Sequence, residues 1–280
     1  MRRRRLKLLF GYISSLFAIV VGIFYITPFL FAVSTSFKNA AEAISLPPSF
    51  IPRNPVGFEN YKKVFTDIPF FQYLKNSAVI VCAGTLLSVF SSAIAGYIFA
   101  KFQCIRSINL MFLAVLATMM VPFQMYVIPL YLMMRNMRLV NTLTALIIPW
   151  GVNAFGVFLM RQFMLTIPKD LIDAARIDGA SELRTFFQIV LPLSRSALSS
   201  LAVLMALFIW DELFWALIVI DDITKRPVSL GLALFQQNYG PLDWHIIMAG
   251  ATVAALPILV LFLLAQRTFI QGITMTGVKE

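Results

Sequence analysis

The sequence predicts an all-α membrane protein that crosses the bilayer six times. The first observation is composition: 60% of the 280 residues are hydrophobic and 13% are charged. A soluble domain averages about 45–50% apolar and about 25% charged residues. The second is the arrangement of charge, which leaves six long stretches almost free of it. Surface-to-volume geometry limits how much apolar surface one core can bury, so the excess must face lipid. A soluble enzyme, a disordered tail and a disulfide scaffold are disfavoured.

A helix needs roughly 20 apolar residues to cross about 30 Å of hydrocarbon. Five stretches qualify outright, and the fifth along the chain qualifies only if Asp211 and Glu212 are tolerated within it. The predicted transmembrane helices are 12–34, 76–100, 108–133, 140–160, 197–220 and 246–266.

The positions of Lys and Arg predict the orientation of these helices. The run Arg2–Arg5 with Lys7 holds the N-terminus in the cytoplasm, and six crossings return the C-terminus to the same side. The predicted cytoplasmic segments then carry fourteen Lys and Arg, and the outer segments carry nine. A signal peptide also starts with positive charge, but this apolar stretch is too long and no cleavage site is evident. The net charge of +10 is therefore largely a signature of the predicted cytoplasmic face and needs no nucleic acid.

Two further segments have predicted structural roles. The outer segment of about 35–75 is rich in proline and aromatic residues, which favours a packed cap over a surface for docking a partner. In the second span small residues recur every four positions and share one helix face, which favours close packing inside the bundle or against a partner subunit over a substrate role. These residues are Gly84, Ser88, Ser92, Gly96 and Ala100. Cys82 lies inside the second predicted span and Cys104 in a predicted cytoplasmic turn, so they do not support a disulfide. One histidine and two separated cysteines show no metal-ligand spacing.

The predicted cytoplasmic segment of about 165–192 is the most informative. Pro168 and Asp170 suit the start of a helix. Leu171, Ala174 and Ala175 are expected to share one face of that helix, with Asp173 and Arg176 beside it. Gly179 permits the left-handed turn that ends it, and a second short helix is expected over 181–189. The residues alone leave open whether this hairpin lies on lipid headgroups or docks into another protein.

The same residues resemble the "EAA" loop of permease subunits of binding-protein-dependent ABC importers. The matching positions are Asp173-Ala174-Ala175, Gly179 and Ile189-Val190-Leu191-Pro192, with Asp173 standing where the family usually has glutamate. The resemblance implies the type I ABC importer permease fold and a hairpin that couples the spans to ATPase subunits. The residues to which it assigns coupling are Asp173, Ala174, Ala175, Asp178, Gly179, Ile189, Leu191 and Pro192.

The resemblance covers nearly the whole chain and is closest to the carbohydrate-uptake branch. The C-terminal tail 267–280 is similar to that of the second, six-span permease subunit of maltose-type systems, whose tail reaches into the ATPase dimer; the residues concerned are Gly272, Thr274, Gly277 and Lys279. The implied chain is a single permease domain, 1–280, in the bacterial inner membrane. The implied partners are a second permease subunit, two ATP-binding subunits that hold ATP and Mg²⁺, and an extracytoplasmic solute-binding protein. The implied substrate is a sugar or oligosaccharide. No cofactor is expected in this chain, and it has no P-loop of its own.

Asp211 and Glu212 are costly inside a span, so a cavity or a partner is expected to accommodate them. One hypothesis is that they bind sugar hydroxyls along the substrate path, with Trp210 or Trp215 stacking on the sugar and Asn76 as a further candidate. The alternative is an ion pair or a helix end.

Other functions remain as alternatives. The same importer class could carry a polyol or a glycerophosphodiester. A self-sufficient secondary carrier would show inverted repeats and interrupted helices, which the sequence does not reveal. A membrane enzyme would need a cluster of polar catalytic groups, and the sequence reveals none.

Overall fold

The computed structural model describes residues 2–238 and 243–274, with side chains over 11–235 and 243–266, and this part of the chain is helical and contains no β-strand. Its α-helices are α1 (Arg2–Ser36), α2 (Ala40–Ala43), α3 (Glu59–Asp67), α4 (Phe70–Lys101), α5 (Arg106–Thr118), α6 (Phe123–Asn136), α7 (Leu143–Ile147), α8 (Ala154–Met164), α9 (Lys169–Ile177), α10 (Glu182–Thr185), α11 (Leu191–Leu193), α12 (Arg195–Asp211), α13 (Phe214–Val219), α14 (Val228–Asn238) and α15 (Trp244–Thr274). Two 3₁₀ turns, Ile148–Trp150 and Ile223–Lys225, and one π-helical turn, Phe186–Val190, complete the described helical structure.

Three helices are long and apolar enough to cross a membrane unaided. Their candidate spans are Gly11–Ser36, Phe70–Lys101 and Trp244–Gln266. They coincide with the first, second and sixth predicted spans, which are thereby confirmed as continuous helices. They have 26, 32 and 23 residues, so all exceed the roughly 20 residues needed, and the second has the most length to spare for tilt or for ends outside the hydrocarbon.

The other three predicted spans are broken. The pair α5 and α6 bends by 101° and the pair Leu143–Trp150 and α8 by 42°, both inside predicted spans. The third bend, of 76° between Glu182–Leu193 and α12, lies at Ser194, before the predicted span 197–220. If each pair is one span, the described residues allow up to six crossings.

The prediction of a single helix over 108–133 is therefore wrong. Pro122 stands at the N-cap of α6 and lacks an N–H group, and its ring disfavours helical backbone at Val121, so the helix ends before it. The prediction over 197–220 also changes, because α12 ends at Asp211 and Glu212 and Leu213 separate it from α13.

Contacts along the chain define two units, and the first comprises 1–70 with 232–256. Here the outer segment is held by side chains that bond to the backbone. The Asn60 amide donates to the carbonyls of Ser36 and Lys38, each at 2.8 Å. The Lys38 ammonium is buried, donates to the Ser49 carbonyl at 2.6 Å and lies 4.7 Å from the centre of the Phe31 ring. These bonds agree with the packed cap expected from the sequence.

Glu42 also stabilises this segment. Its carboxylate accepts hydrogen bonds from the Arg53 backbone N–H at 2.7 Å and from the Ser49 hydroxyl at 3.0 Å. The Arg53 bond is the largest influence on the carboxyl and lowers its pKa, although burial opposes the change. The carboxylate thus stays charged and holds the turn around 49–54.

The second unit comprises 71–231 with 257–280, and the small-residue face of α4 is buried in it. Ser88 and Ser92 on this face are fully buried. A Cβ added to Gly96 would lie 2.7 Å from the Met160 Cβ in α8, and one added to Gly84 would lie 2.9 Å from the end of the Ile209 side chain in α12. The face therefore packs inside the bundle, as the first of the two packing predictions stated.

Candidate functional site

The hairpin of about 165–192 begins with helix α9. Pro168 stands at its N-cap with φ −57°, a value that its ring favours, and Asp170 lies in the first turn, where the helix dipole favours an acid. The helix ends in a Schellman turn. Gly179 has φ +79° and donates its N–H to the Arg176 carbonyl at 3.0 Å, while the Ala180 N–H reaches the Ala175 carbonyl at 2.9 Å. The predicted left-handed turn at Gly179 is confirmed.

The second arm of the hairpin is less regular than the predicted helix over 181–189. The Ser181 hydroxyl caps α10 by accepting the Arg184 N–H at 3.3 Å. After Thr185 the backbone widens into the π-helical turn Phe186–Val190 and continues into α11, which contains Leu191 and Pro192. Ile189, Leu191 and Pro192 are half-buried, so this part of the motif packs partly against its own chain.

The two alanines of the motif point in different directions. Ala175 is buried, with 7% of its surface exposed, whereas Ala174 and Leu171 are exposed. Leu171, Ala174 and Ala175 lie along one side of α9 as expected, but only Ala175 faces the rest of the described chain. Consecutive helical residues lie about 100° apart around the axis, so one alanine turns inward and the other outward. Asp178 and Ile177 are exposed beside Ala174, which gives the hairpin a small outward surface.

Asp173 forms its ion pair within its own helix. Its carboxylate accepts a hydrogen bond from the Arg176 guanidinium at 3.0 Å, and both side chains are largely exposed. An exposed i, i+3 pair contributes at most about 1 kcal/mol. The carboxylate can therefore exchange Arg176 for a basic residue of another protein at little cost.

Glu182 ties the hairpin to α4, and sequence reasoning missed it. Its carboxylate forms an ion pair with Lys101, accepts a hydrogen bond from the Tyr97 hydroxyl at 3.1 Å and lies 3.5 Å from the Arg176 guanidinium. We call Tyr97, Lys101, Arg176 and Glu182 the Glu182 clamp. Lys101 is the last residue of α4 and lies far from Glu182 in sequence, so no local spacing rule relates them. The available signal was only that both segments were predicted on the same side of the membrane.

A pocket of about 270 Å³ separates α9 from the end of α4. Lys101, Arg176 and Asp173 line it together with apolar residues such as Ile172 and Met164. The hairpin is thus not packed flush against the bundle. The Glu182 clamp bridges this end of the hairpin to α4, and the Phe186 ring of the second arm packs 5.2 Å from the Tyr97 ring of α4.

The residues suggested for the substrate path do not form one site. The Glu212 carboxylate accepts the N–H groups of Trp215 at 2.9 Å and Ala216 at 3.3 Å, so it caps the start of α13. This geometry favours the helix-end alternative for Glu212. Trp215 is fully buried and donates its indole N–H to the Ala145 carbonyl at 2.8 Å, so it presents no ring to a sugar.

Asn76 also has a structural position. It is buried and donates to the carbonyls of Thr224 at 2.9 Å and Arg226 at 3.0 Å, which fastens the turn before α14 to α4. Trp210 is half-buried and Asp211 is exposed. Of the five suggested residues, only these two keep side-chain surface without a hydrogen bond to the described part of the chain.

The tail residues lie at the limit of the described chain. The backbone of Gly272 and Thr274 belongs to the last turn of α15, beyond the described side chains. Gly277 and Lys279 lie outside the described residues. Their contact with ATPase subunits stays a prediction.

Comparisons with known proteins agree with this geometry. The family model described as "Binding-protein-dependent transport system inner membrane component" matches residues 80–275, which include the hairpin. The arabinooligosaccharides transport system permease protein AraQ of Halalkalibacterium halodurans is 34% identical over 282 residues, which cover 100% of both chains. The sn-glycerol-3-phosphate transport system permease protein UgpE of Escherichia coli is 28% identical over 91% of this chain and 93% of its own.

A solved structure shares the fold. The crystal structure of a bacterial ABC transporter involved in the import of the acidic polysaccharide alginate contains a chain that superposes with a TM-score of 0.79 and 23% identity, over 93% of this chain and 96% of that one. The helical hairpin, the apolar helices, the matched fold and the family model all agree. The chain belongs to the family of inner membrane components of binding-protein-dependent transport systems, a multi-pass membrane protein of the ABC importer permease type.

Proposed function

We propose that this chain is one permease subunit of an ATP-driven importer that carries a sugar or oligosaccharide across the bacterial inner membrane. The observation that carries the substrate class is the 34% identity, over the whole chain, to a permease named for arabinooligosaccharides. An extracytoplasmic binding protein delivers the solute, and a second permease subunit completes the path. ATP and Mg²⁺ are bound by two separate ATP-binding subunits, so hydrolysis takes place outside this chain.

The hairpin is the proposed docking element for one ATP-binding subunit on the cytoplasmic side. Ala174, Ile177 and Asp178 form its outward surface, and a small residue at its centre leaves room for a groove to close around it. Asp173 is exposed and weakly paired, so it is available to a basic residue of the partner. The C-terminal tail, with Gly272, Thr274, Gly277 and Lys279, is the proposed second contact with the ATPases.

Motion is then transmitted along two routes. The Glu182 clamp links the hairpin to the last turn of α4, and the Leu191–Leu193 turn leads through Ser194 directly into α12. A displacement of the docked hairpin when the ATP-binding subunits close would therefore move two helices of the second unit together. This coupling is local packing and charge, with no catalytic group required in the permease.

Co-purification followed by an ATPase assay tests this function. The chain is expressed with the second permease, the ATP-binding subunits and the binding protein of its system. We expect a stable complex whose ATP hydrolysis rises when the binding protein is loaded with arabinotriose. A complex that lacks the ATP-binding subunits, or hydrolysis indifferent to the loaded binding protein, would refute the proposal.

The second candidate solute is a glycerol phosphate, which the similarity to UgpE favours. Calorimetric titration of the isolated binding protein separates the two candidates. Saturable binding of arabinotriose without binding of sn-glycerol-3-phosphate supports the sugar, and the reverse result supports the glycerol phosphate. A polyol such as sorbitol belongs in the same titration.

A further inference from the structure

Two cavities of the second unit meet at the end of α4, beside the hairpin. The first is the pocket of about 270 Å³ that separates α9 from α4. The second is a groove of about 410 Å³ between α4 and the second arm of the hairpin. Tyr97 and Lys101 line both, so the pocket and the groove adjoin along the last turn of α4.

The pocket is rich in positive charge. Lys101, Lys169 and Arg176 line it, and Asp173 is the one acid among its described lining residues. Glu182 stands beside the pocket and pairs with Lys101 and Arg176, so three basic groups still face two acidic ones. Lys169 is exposed and has no ion-pair partner in the described part of the chain. The excess of positive charge favours an anion in this pocket.

The groove is apolar and runs along the membrane-spanning part of α4. Leu183 and Phe187 of the hairpin form one side of it. The residues from α4 recur every four positions, so they follow one helix face. They are Phe90, Ile94, Ile98 and Phe102, and each keeps between 37% and 49% of its surface exposed. Only Lys101 and Glu182, which pair with each other, bring charge to the described lining of the groove.

The length of the groove matches the depth of one lipid leaflet. From Phe90 to Phe102, α4 advances about 18 Å at 1.5 Å per residue. One leaflet supplies about half of the roughly 30 Å of hydrocarbon. Lys101 is the last residue of α4, and basic side chains at the ends of spans reach the level of the lipid headgroups. An acyl chain that lies in the groove therefore brings its headgroup to Lys101.

A molecule with an anionic head and an apolar tail matches both cavities. A free phosphate would use the basic pocket alone, and an apolar helix of another protein would fill the groove without bringing an anion to Lys101. Basic pockets beside spans are typical sites for anionic lipid headgroups. Lys101 has hydrogen-bond donors left for a phosphate, because an ammonium has three and Glu182 takes one. The charge of the pocket and the apolar groove together favour an anionic lipid.

We propose that an anionic phospholipid, of which phosphatidylglycerol is a simple form, binds between α4 and the hairpin. Its phosphate lies against Lys101, Lys169 and Arg176, and one acyl chain lies in the groove along Ile94 and Ile98. The lipid then contacts α4 and both arms of the hairpin, so it stabilises their packing as a ligand stabilises the folded state that binds it. This site goes beyond the proposed function, because lipid binding does not depend on which solute is carried.

Native mass spectrometry of the complete importer in detergent, titrated with phosphatidylglycerol, tests this site. We expect wild type to bind phosphatidylglycerol at least about fivefold more tightly than phosphatidylcholine, whose headgroup has no net charge. Lys169→Gln should weaken binding about fivefold, the effect of one basic residue near the membrane surface. Ile98→Trp fills the groove from an exposed position, so it should weaken binding while the importer stays folded. Phosphatidylglycerol should raise the Tm of wild type more than that of Ile98→Trp.

Two exposed residues that line neither cavity provide matched controls. Arg195→Gln removes a positive charge near the hairpin, and Leu110→Trp adds a bulky side chain to α5, so both should bind phosphatidylglycerol as wild type does. Equal affinity for the two lipids, or unchanged phosphatidylglycerol affinity in Lys169→Gln or in Ile98→Trp, would overturn the site.

Two other occupants are separated by the same preparations. Displacement of phosphatidylglycerol by an excess of inorganic phosphate would identify a free-phosphate pocket and overturn the lipid site. Loss of the second permease on purification of Ile98→Trp would make the groove a subunit interface and would also overturn it. All of these outcomes leave the proposed function intact, because that function is tested by ATP hydrolysis in response to the loaded binding protein.

Discussion

Glu182 shows how one carboxylate can determine the position of a functional element. It contacts Lys101 and Tyr97 of α4 and lies beside Arg176 of α9, so it connects the two arms of the hairpin to the bundle. Hydrogen bonds to a charged carboxylate are roughly twice as strong as the same number of neutral hydrogen bonds. The removal of its charge should loosen the hairpin without changing its outward surface.

Glu182→Gln should therefore uncouple transport from hydrolysis. We expect uptake to fall about fivefold or more while ATP hydrolysis continues, since charged hydrogen bonds contribute about 1.5–3 kcal/mol. The double change Glu182→Lys with Lys101→Glu restores the pair with reversed charge and should recover part of the uptake. Asp170→Asn, an exposed acid on the same hairpin, is the control. Equal losses in Asp170→Asn and Glu182→Gln would remove the specific role of the clamp.

The two alanines of the motif allow docking to be separated from folding. Ala174→Trp changes the outward surface and should abolish co-purification of the ATP-binding subunits without lowering the Tm of the permease. Ala175→Trp enlarges a buried position, and overpacking costs about 1–3 kcal/mol, so it should lower the Tm. Thermal unfolding and co-purification are measured on the same preparations. A lowered Tm in Ala174→Trp with intact docking would reverse this assignment of the faces.

At the scale of elements, the sequence correctly predicted the three spans that form continuous helices, but it did not predict where the other helices break. The stretches around α1, α4 and α15 are uniformly apolar, and each forms one helix. Pro122 is a local reason for the break between α5 and α6, yet its neighbours are as apolar as those of the unbroken spans. The apolar character of a stretch indicates that it contacts lipid. It does not indicate the direction in which the chain continues after a helix ends. The 101° bend depends on packing between distant elements, which no short window of sequence contains.

The close packing of α4 against α8 predicts the effect of a substitution at Gly96, and Gly22 in α1 provides a control. Gly96→Ala places a Cβ 2.7 Å from the Met160 Cβ and 2.9 Å from the Arg161 backbone nitrogen, and backbone cannot move aside easily. We expect a loss of about 1–3 kcal/mol and a lower Tm in detergent. Gly22→Ala lies in α1 with nothing within 4 Å, so it should leave the Tm unchanged or raise it slightly. If both variants unfold at the wild-type temperature, α4 and α8 do not pack closely at Gly96.

At the scale of the whole molecule, the family was predictable because it depends on local sequence. The alanine pair, Gly179 and the Leu191-Pro192 end of the motif lie within one short hairpin, and the structure folds that hairpin with the expected turn. The surroundings of the helix breaks were not predictable in the same way. The cavity there forms only because the α5–α6 break, the break before α8 and a side chain of α12 meet, and the costly Glu212 caps a helix instead.

The broken helices also change one argument about the rival function. Interrupted helices were expected of a secondary carrier, and three bent pairs occur in the described chain. They therefore do not distinguish the two classes. The distinction depends on the hairpin and on the family match, and so on the source of energy for transport.

Initial uptake of radiolabelled arabinotriose by proteoliposomes tests this central claim most directly. The vesicles contain the complete importer, with the loaded binding protein outside and either ATP or an ion gradient as the energy source. The account predicts uptake with ATP enclosed on the hairpin side, no uptake from a proton or sodium gradient alone, and loss of ATP-driven uptake in Ala174→Trp. Uptake driven by an ion gradient without ATP, at the same rate in wild type and Ala174→Trp, would contradict it.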